Sequence, residues 1–289
     1  MLTRSARRSL AFLTVPLRAN RATPASTISR LSNVLPVESD LQLSAECSAG
    51  IPPFALRTSD VLVGERLVRF VQPADEEAVL DAYINTHNLS ADPYWATLWP
   101  SAVAAARAIF LEPRLFASKQ VLDLGCGVGL AGAAAALAGA SNVLLADLSP
   151  WALHCALATC SSNGLRTISN SAPFVSASPE APGQGVCRTI QLDWAAPPPA
   201  FASAFDVILA CDVLYASEAA IPIAQLVLSS LKNGGLLLLA DPPLRTPKNR
   251  GSLLALLAEG GATVVQTTET LIDFNERSVP IMLHMIRMP

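Results

Sequence analysis

V-L-D-L-G-C-G-V-G-L-A-G, residues 121–132, is the most informative segment of this 289-residue chain. A short apolar run leads into three glycines at alternate positions, and an Ala-rich run follows them. Glycine lets the backbone turn sharply and lets a ligand approach it closely, and the N–H groups at the start of a helix can bind that ligand. The segment therefore predicts a strand, a ligand-binding loop at Gly125, Gly127 and Gly129, and a helix.

Strands and helices alternate regularly after this segment, which indicates an α/β fold. Strands are predicted at 120–124, 142–146, 186–192, 205–211, 236–240, 263–268 and 279–286. Helices are predicted at 130–138, 150–163, 217–231 (closed by Asn233-Gly234-Gly235) and 252–259. This alternation is typical of a Rossmann-like, mostly parallel sheet with helices on both faces. Because no helix separates the last two of the seven strands, we expect them to form an antiparallel hairpin.

We place this α/β domain at residues 93–289 and an N-terminal extension at 38–92. Within the extension, 61–73 predicts a strand pair or a strand with a turn, and 74–87 predicts a helix with acidic residues in its first turn. Within the domain, 164–186 is rich in Ser, Pro and Gly, which predicts an exposed and flexible insertion.

Residues 1–37 have the composition of an organellar transit peptide. They contain six Arg, no Lys and no acidic residue, and they are rich in Ser and Thr. On a helix the apolar residues Leu2, Ala6, Leu10 and Leu13 share one face, which favours a mitochondrial presequence. A chloroplast transit peptide and a basic tail are the alternatives.

The rest of the chain is acidic. Six of its 20 Lys and Arg residues lie in 1–37, so the remaining 14 face 23 Asp and Glu, a formal net charge of −9. Such a body lacks the basic surface that binds nucleic-acid phosphates, and no apolar run approaches the ~20 residues of a membrane helix. We therefore expect no nucleic-acid partner, no membrane partner and a monomer. The six Cys contain no CxxC pair and predict neither a disulfide framework nor a metal site.

Two carboxylates flank the glycine loop. Asp147 ends the second predicted strand, where it can accept hydrogen bonds from both ribose hydroxyls of an adenosine. This arrangement suits a dinucleotide as well, and Gly127-x-Gly129-x-x-Gly132 matches the dinucleotide-binding pattern. Asp123 distinguishes the two, because a carboxylate at the end of the first strand would repel a pyrophosphate but bind an ammonium group. The loop therefore predicts S-adenosyl-L-methionine, which carries an ammonium group and no phosphate.

The third and fourth strands end in polar and aromatic residues. Asp193 and Trp194 follow the third strand, and Asp212 and Tyr215 follow the fourth. Open α/β sheets bind their ligands at the carboxyl ends of parallel strands. We therefore expect these four side chains to border the same site as the glycine loop.

The run V-L-D-L-G-C-G-V-G resembles motif I of the class I, or seven-β-strand, methyltransferases. W-P-S-A-V-A-A-A-R before this run, and L-D-W and D-V-L-Y after it, resemble methyltransferase family 16 over roughly residues 90–289. That family consists largely of protein-lysine N-methyltransferases. P-Y-W-A-T-L-W-P at 93–100 and Asp241-Pro242 most resemble its mitochondrial members that methylate the β subunit of electron transfer flavoprotein.

The resemblance implies a role for each candidate residue. Asp212 and Tyr215 match the family's D-x-x-Y/F motif, so Asp212 would orient the substrate lysine or accept its proton, and Tyr215 would line the lysine channel. The cofactor-binding residues would be Trp99, Asp123, Gly125, Gly127, Gly129, Asp147, Asp193 and Trp194. Among them, Asp193 and Trp194 would lie beside the adenine.

Other functions stay open at this stage. Asp241-Pro242-Pro243-Leu244 mimics the motif of enzymes that methylate planar nitrogens in nucleic bases or glutamine, although that motif follows the fourth strand and this one follows the fifth. A small-molecule methyltransferase is a further alternative. So is a non-catalytic module that binds S-adenosylmethionine and acts as an assembly factor.

Overall fold

The computed structural model describes residues 51–86, 93–168 and 185–289. The predicted transit peptide lies outside these residues, as does the part of the predicted insertion at 169–184. The strands are β1 (Leu56–Val63), β2 (Arg66–Pro73), β3 (Gln120–Leu124), β4 (Asn142–Asp147), β5 (Arg166–Ile168), β6 (Val186–Gln191), β7 (Phe205–Cys211), β8 (Leu231–Asp241), β9 (Thr263–Phe274) and β10 (Arg277–Arg287). The helices are α1 (Glu76–Asn85), α2 (Pro100–Leu111), α3 (Leu130–Leu137), α4 (Pro150–Ser162), α5 (Ala220–Ser230) and α6 (Pro247–Glu259).

An eight-stranded sheet forms the centre of the domain, in the order β5-β6-β4-β3-β7-β8-β10-β9. Neighbouring strands from β5 to β8 are parallel, and β10 is antiparallel to both β8 and β9. The predicted Rossmann-like sheet with an antiparallel last strand is confirmed. Strands β4, β5 and β6 lie on one side of β3 in the sheet, and the chain then crosses to β7 on the other side of β3. This reversal opens a crevice at the carboxyl ends of β3 and β7, where open α/β sheets bind ligands.

Apolar side chains bury both faces of the sheet. Helices α2, α3 and α4 cover one face, and α5 and α6 cover the other. The Ala-rich α3 is buried from Leu130 to Ala136, since its small side chains let it pack closely beneath the sheet and between its neighbours. Burial of each large core side chain, such as Ile223 or Leu253, stabilises the fold by roughly 1.5–3 kcal/mol.

The N-terminal extension packs against the domain through α4. Strands β1 and β2 form an antiparallel hairpin, which is one of the two predicted alternatives but begins before residue 61, and α1 follows it with Asp75 as its N-cap. The Val71 N–H donates to Thr159 Oγ1 at 2.9 Å in a buried contact, and the Arg69 N–H donates to Asn163 Oδ1 at 3.0 Å. Side-chain oxygens at one end of α4 therefore hold the hairpin through its main-chain N–H groups.

Several predicted boundaries are wrong. The third predicted helix ends at Ser230, and the chain enters β8 directly because Leu231 is drawn into the core. Asn233-Gly234-Gly235 consequently does not cap a helix but lies within β8, where the pairing with β7 shifts register and Gly234 has a φ of +69°. Residues 166–168 of the predicted insertion form β5, an edge strand held by β6.

Two C-terminal elements extend beyond their predictions. Helix α6 begins at Pro247 rather than at residue 252, because a proline suits the first helical turn. Strand β9 continues to Phe274 rather than residue 268, because pairing with β10 supports it past its apolar part. Neither extension changes the topology.

Two further features concern the length of the helices and the state of the cysteines. No helix in the described part of the chain is both long and apolar enough to cross a membrane. Cys126, Cys155, Cys160, Cys187 and Cys211 are free thiols, and all but Cys211 are buried. Burial raises the pKa of the Cys155 thiol to about 12, so it is an apolar core group at neutral pH.

Candidate cofactor and substrate site

The glycine loop follows β3 and requires glycine for two reasons. Gly125, Gly127 and Gly129 have φ angles of +67°, +51° and +81°, a conformation that other residues rarely adopt. A Cβ atom on Gly129 would also lie 2.7 Å from Ala156 Cα, and a Cβ atom on Gly125 would lie 3.1 Å from the Trp194 ring. The glycines therefore let α4 and Trp194 close around a tight loop.

Asp147, at the end of β4, faces this loop. Its Oδ2 accepts a hydrogen bond from the Gly127 N–H at 3.0 Å, and its Oδ1 accepts one from the Ser149 N–H at 3.0 Å. The two bonds fix the carboxylate over the loop in the position that the sequence predicted. A carboxylate oxygen can accept more than one hydrogen bond, so these main-chain bonds are compatible with a ligand hydroxyl at the same carboxylate.

Asp123 lies beneath the loop and is almost wholly buried. Its Oδ2 accepts a hydrogen bond from the Gly132 N–H at 2.8 Å. A Cβ atom on Gly132 would collide with Leu145 and crowd Asp123, so glycine is required there for close packing. Burial raises the pKa of Asp123 to about 7, the Gly132 hydrogen bond opposes this rise, and the Asp147 carboxylate adds to it. A cation placed beside Asp123 would lower this pKa again.

Asp193 and Trp194 follow β6 in a turn. The Trp194 ring is half-buried and contacts the loop at Gly125, whereas the Asp193 side chain is exposed and accepts a hydrogen bond from the Ala195 N–H at 2.9 Å. Trp194 thus borders the loop, and Asp193 lies on the surface of the turn beside it.

Asp212 follows β7 in an unusual backbone conformation. Its φ is +62°, which is uncommon outside glycine and is held here by an N–H bond to the Ala240 carbonyl at 2.8 Å. The next residue, Val213, lies 3.0 Å from the position of a Cβ atom on Gly125. The strained turn therefore places the residue after Asp212 against the glycine loop.

The Asp212 carboxylate is 4% exposed and pairs with the Arg245 guanidinium through Oδ1. No described residue gives either Asp212 oxygen a hydrogen bond of normal geometry. A buried carboxylate with unfilled acceptor sites is costly unless a cation or a donor meets it. Asp212 is therefore an acceptor for a positively charged group.

Three aromatic side chains form a cluster with this ion pair. The Tyr94 ring packs edge-on against Tyr215, with centroids 5.6 Å apart, and against Trp99 at 6.3 Å. The Trp99 Nε1 donates to the Tyr94 carbonyl at 2.7 Å. The Arg245 guanidinium carbon lies 5.1 Å from the Trp99 ring centroid, a cation–π distance. We call Tyr94, Trp99, Asp212 and Tyr215 the cation pocket.

Helix α6 supports the loops on this side of the site. Asn249 Nδ2 donates to the carbonyls of Leu214 at 2.8 Å and Ala216 at 3.0 Å, which holds the loop after Asp212. Arg250 Nη1 lies 2.6 Å from Asp241 Oδ2, and Asp241 is 1% exposed. Asp241 ends β8, Pro243 and Leu244 lie in the turn that follows, and the Asp241 carboxylate is held by Arg250.

The predicted site residues fall into two adjoining groups. The glycine loop, Asp123, Asp147 and Trp194 form one group, and Trp99, Asp212 and Tyr215 form the other; Asp193 lies at the edge of the first. The sequence analysis did not identify Tyr94, which it noted only as part of P-Y-W-A, or Arg245, which directly follows Asp-Pro-Pro-Leu. No local pattern marked either residue, because each becomes part of the site through contacts distant in sequence.

Known proteins resemble this chain in sequence and in fold. The electron transfer flavoprotein beta subunit lysine methyltransferase of Danio rerio is 45% identical over 74 residues, which is 26% of this chain and 29% of the relative. The Homo sapiens protein of the same name is 40% identical over 74 residues, 26% of this chain and 28% of the relative. The chain thus matches less than a third of the length of these curated relatives.

One solved structure aligns with most of the chain. The 16S rRNA N2 G1207 methyltransferase of T. thermophilus aligns with a TM-score of 0.50 and 16% identity, over 81% of this chain and 51% of that one. At this identity the likeness concerns the fold alone. A family model described as a methyltransferase domain matches residues 98–259, more than half of the chain. These residues run from just before Trp99 through the glycine loop and Asp212 to the end of α6, and the chain therefore belongs to the methyltransferase domain family.

Proposed function

We propose that the chain is an S-adenosylmethionine-dependent methyltransferase that acts on a lysine side chain of a protein. The observation that carries this proposal is the cation pocket, where the buried Asp212 carboxylate pairs with a guanidinium and the next residue, Val213, contacts the glycine loop. A lysine ammonium has the charge and the slender stem that such a pocket accepts.

The residues around the glycine loop fit S-adenosylmethionine. Asp147 would bind the ribose hydroxyls, Trp194 and Asp193 the adenine, and Asp123 the ammonium of the methionine moiety. Asp123 and Asp147 place two carboxylates around one loop, and the pKa of Asp123 rises partly because of Asp147. Such a loop repels the pyrophosphate of a dinucleotide and attracts a cationic ligand.

When bound, S-adenosylmethionine supplies a methyl group on a positively charged sulfur, which a neutral amine attacks in line. The chain contributes position and proton removal. Asp212 would hold the lysine ammonium and accept its proton, and Tyr215 and Tyr94 would line the path of the lysine stem. Arg245 occupies the acceptor in this structure, so it must leave Asp212 before a lysine can reach it.

We propose the β subunit of electron transfer flavoprotein as the first substrate to test, because the matched relatives carry that name and the sequence around Trp99 and Asp241 resembles the same group. With this substrate the protein would act in mitochondria, and residues 1–37 would direct it there. We propose further that the protein is a monomer without nucleic-acid or membrane partners. The proposal also includes a transit peptide that ends at residue 37 and an N-terminal extension that ends at residue 92.

The proposal is tested by incubating the full chain with radiolabelled S-adenosylmethionine and either purified electron transfer flavoprotein or a mitochondrial extract. We expect label in a protein band that resists nuclease, yields to protease and disappears with Asp212→Asn. Label in nucleic acid or in small molecules alone would contradict the lysine assignment. Cofactor binding without any labelled product would favour the non-catalytic module instead.

A further inference from the structure

The N-terminal extension reaches the cofactor side of the site through a chain of hydrogen bonds. In α1, the Tyr83 hydroxyl accepts from Trp95 Nε1 at 2.8 Å and shares a hydrogen bond with Ser149 Oγ at 3.2 Å. Tyr83 and Trp95 are both buried. These contacts link three segments that are separate in sequence: α1, the short turn at Pro93–Ala96 and the start of α4.

Ser149 connects this chain of hydrogen bonds to Asp147. The Ser149 side chain caps α4 by accepting from the Ala152 N–H at 3.4 Å, and its main-chain N–H donates to Asp147 Oδ1 at 3.0 Å. The side chain that Tyr83 holds therefore belongs to a residue that orients the Asp147 carboxylate.

The same tyrosine also fixes the turn that lies against the glycine loop. A Cβ atom on Gly127 would lie 3.5 Å from the Trp95 carbonyl, so the turn at 93–96 covers the loop closely. Tyr83 stacks on Trp151 with centroids 4.7 Å apart, which holds its ring independently of the hydroxyl. The ring packs the extension in place, and the hydroxyl joins the turn to Ser149.

We propose that Tyr83 is a positioning residue for the cofactor. Through Ser149 and Trp95 it holds the Asp147 carboxylate and the 93–96 turn in the arrangement that the ribose of the cofactor requires. This inference rests on the proposed function and adds to it a role for the N-terminal extension, which completes the cofactor site although it lies outside the matched methyltransferase domain.

Tyr83→Phe in the full chain is the direct test, because it keeps the ring on Trp151 and removes only the hydroxyl. Calorimetric titration with S-adenosylhomocysteine should show a Kd about three- to tenfold higher than for the wild type, as expected for one hydrogen bond. The KM for S-adenosylmethionine should rise by the same factor, with kcat at saturating cofactor unchanged.

Thr159→Val is the matched control. It removes the hydroxyl that ties the hairpin to α4 at the far end of the helix, where Val71 is its partner. We expect a lower unfolding midpoint and an unchanged Kd for S-adenosylhomocysteine. If Thr159→Val raises the Kd as much as Tyr83→Phe does, the extension acts only through general stability, and the positioning role is wrong.

A second pair of variants approaches the chain of hydrogen bonds from its other end. Ser149→Ala should raise the Kd for S-adenosylhomocysteine, and Ser149→Thr, which keeps the hydroxyl, should restore it. Equal Kd values for wild type, Tyr83→Phe and Ser149→Ala would overturn this inference while leaving the proposed function intact. Failure of the wild type to bind S-adenosylhomocysteine would overturn the proposed function itself.

Discussion

The two halves of the site differ in how many hydrogen bonds their carboxylates accept from the rest of the protein. Around the glycine loop, Asp147 and Asp123 each accept main-chain hydrogen bonds at 2.8–3.0 Å. In the cation pocket, the oxygens of Asp212 receive no regular hydrogen bond from the described residues and are paired with the side chain of Arg245.

This difference agrees with what the proposed function requires of each half. A cofactor of constant structure is best met by a preformed surface, because preorganisation lowers the cost of binding. In the proposed reaction a protein side chain enters and leaves, so its acceptor has to be released in each cycle. We therefore call the glycine-loop side, whose carboxylates accept main-chain hydrogen bonds, the rigid half, and the cation pocket, which is built from side chains, the exchangeable half.

Removing the Asp212 carboxylate should separate the two halves most clearly. Asp212→Asn should lower kcat by about 10²–10⁴-fold, because the lysine loses both its counter-charge and its proton acceptor. The Kd for S-adenosylhomocysteine should stay within about twofold of the wild-type value. Asp206→Asn, at the opposite end of β7 beside Lys232, is the control and should leave kcat unchanged. Loss of cofactor affinity in Asp212→Asn would place Asp212 in the cofactor half.

Distorting the rigid half should act on folding as well as on binding. Gly129→Ala should lower the free energy of unfolding by about 3 kcal/mol, because the new Cβ would meet the α4 backbone and the φ is positive. Gly164 also has a positive φ but has open space around its Cβ position, so Gly164→Ala should cost only about 1 kcal/mol. Urea unfolding of the two variants measures the difference. Equal losses would mean that close packing at Gly129 contributes nothing.

Asp123→Asn should make the protein more stable and a poorer binder. The pKa of Asp123 is about 7 in the fold and about 3.9 in an unfolded chain, so its contribution to stability is complete below pH 3.9 and is lost as the pH rises through 7. Asn keeps an acceptor for the Gly132 N–H and has no charge to bury. The free energy of unfolding of the variant should therefore exceed that of the wild type by about 4 kcal/mol at pH 8, and the two values should converge in acid.

Urea unfolding between pH 4.5 and pH 8 checks this sign, and calorimetry checks affinity for S-adenosylmethionine. We expect the Asn variant to bind more weakly, since the cofactor ammonium loses its counter-charge. Parallel stability curves for the two proteins would show that Asp123 ionises as an exposed carboxyl does.

The smallest effect is expected from Arg245, which belongs to the exchangeable half. Arg245→Ala removes the internal cation that competes with the substrate for Asp212, so the KM for the protein substrate should fall by about two- to fivefold. Lys248→Ala, which removes the same charge from an exposed neighbouring position, should leave that KM unchanged. A higher KM in Arg245→Ala alone would mean that Arg245 binds the substrate instead of competing with it.

The sequence predicted the α/β elements well and their ends less well. β3 and β7 match their predicted limits because they are central strands whose apolar runs stop where burial stops. The observed limits of α5 and β8 differ from the predicted ones, because Asn-Gly-Gly suits a helix end and an irregular strand equally. The burial of Leu231 in the core decides between the two. β5 was missed because a three-residue edge strand has no periodicity of its own.

The glycine loop, its two carboxylates and the alternation of strands and helices could be predicted from contiguous residues. Positive φ at glycine and alternation of strand and helix are local properties, and the topology of a parallel sheet brings strand ends together without further information. The cation pocket, its occupation by Arg245 and the hydrogen bonds of Tyr83 could not be read in this way. Their members lie on different elements, and whether a buried carboxylate meets a helix, an aromatic ring or an arginine is decided only when those elements pack.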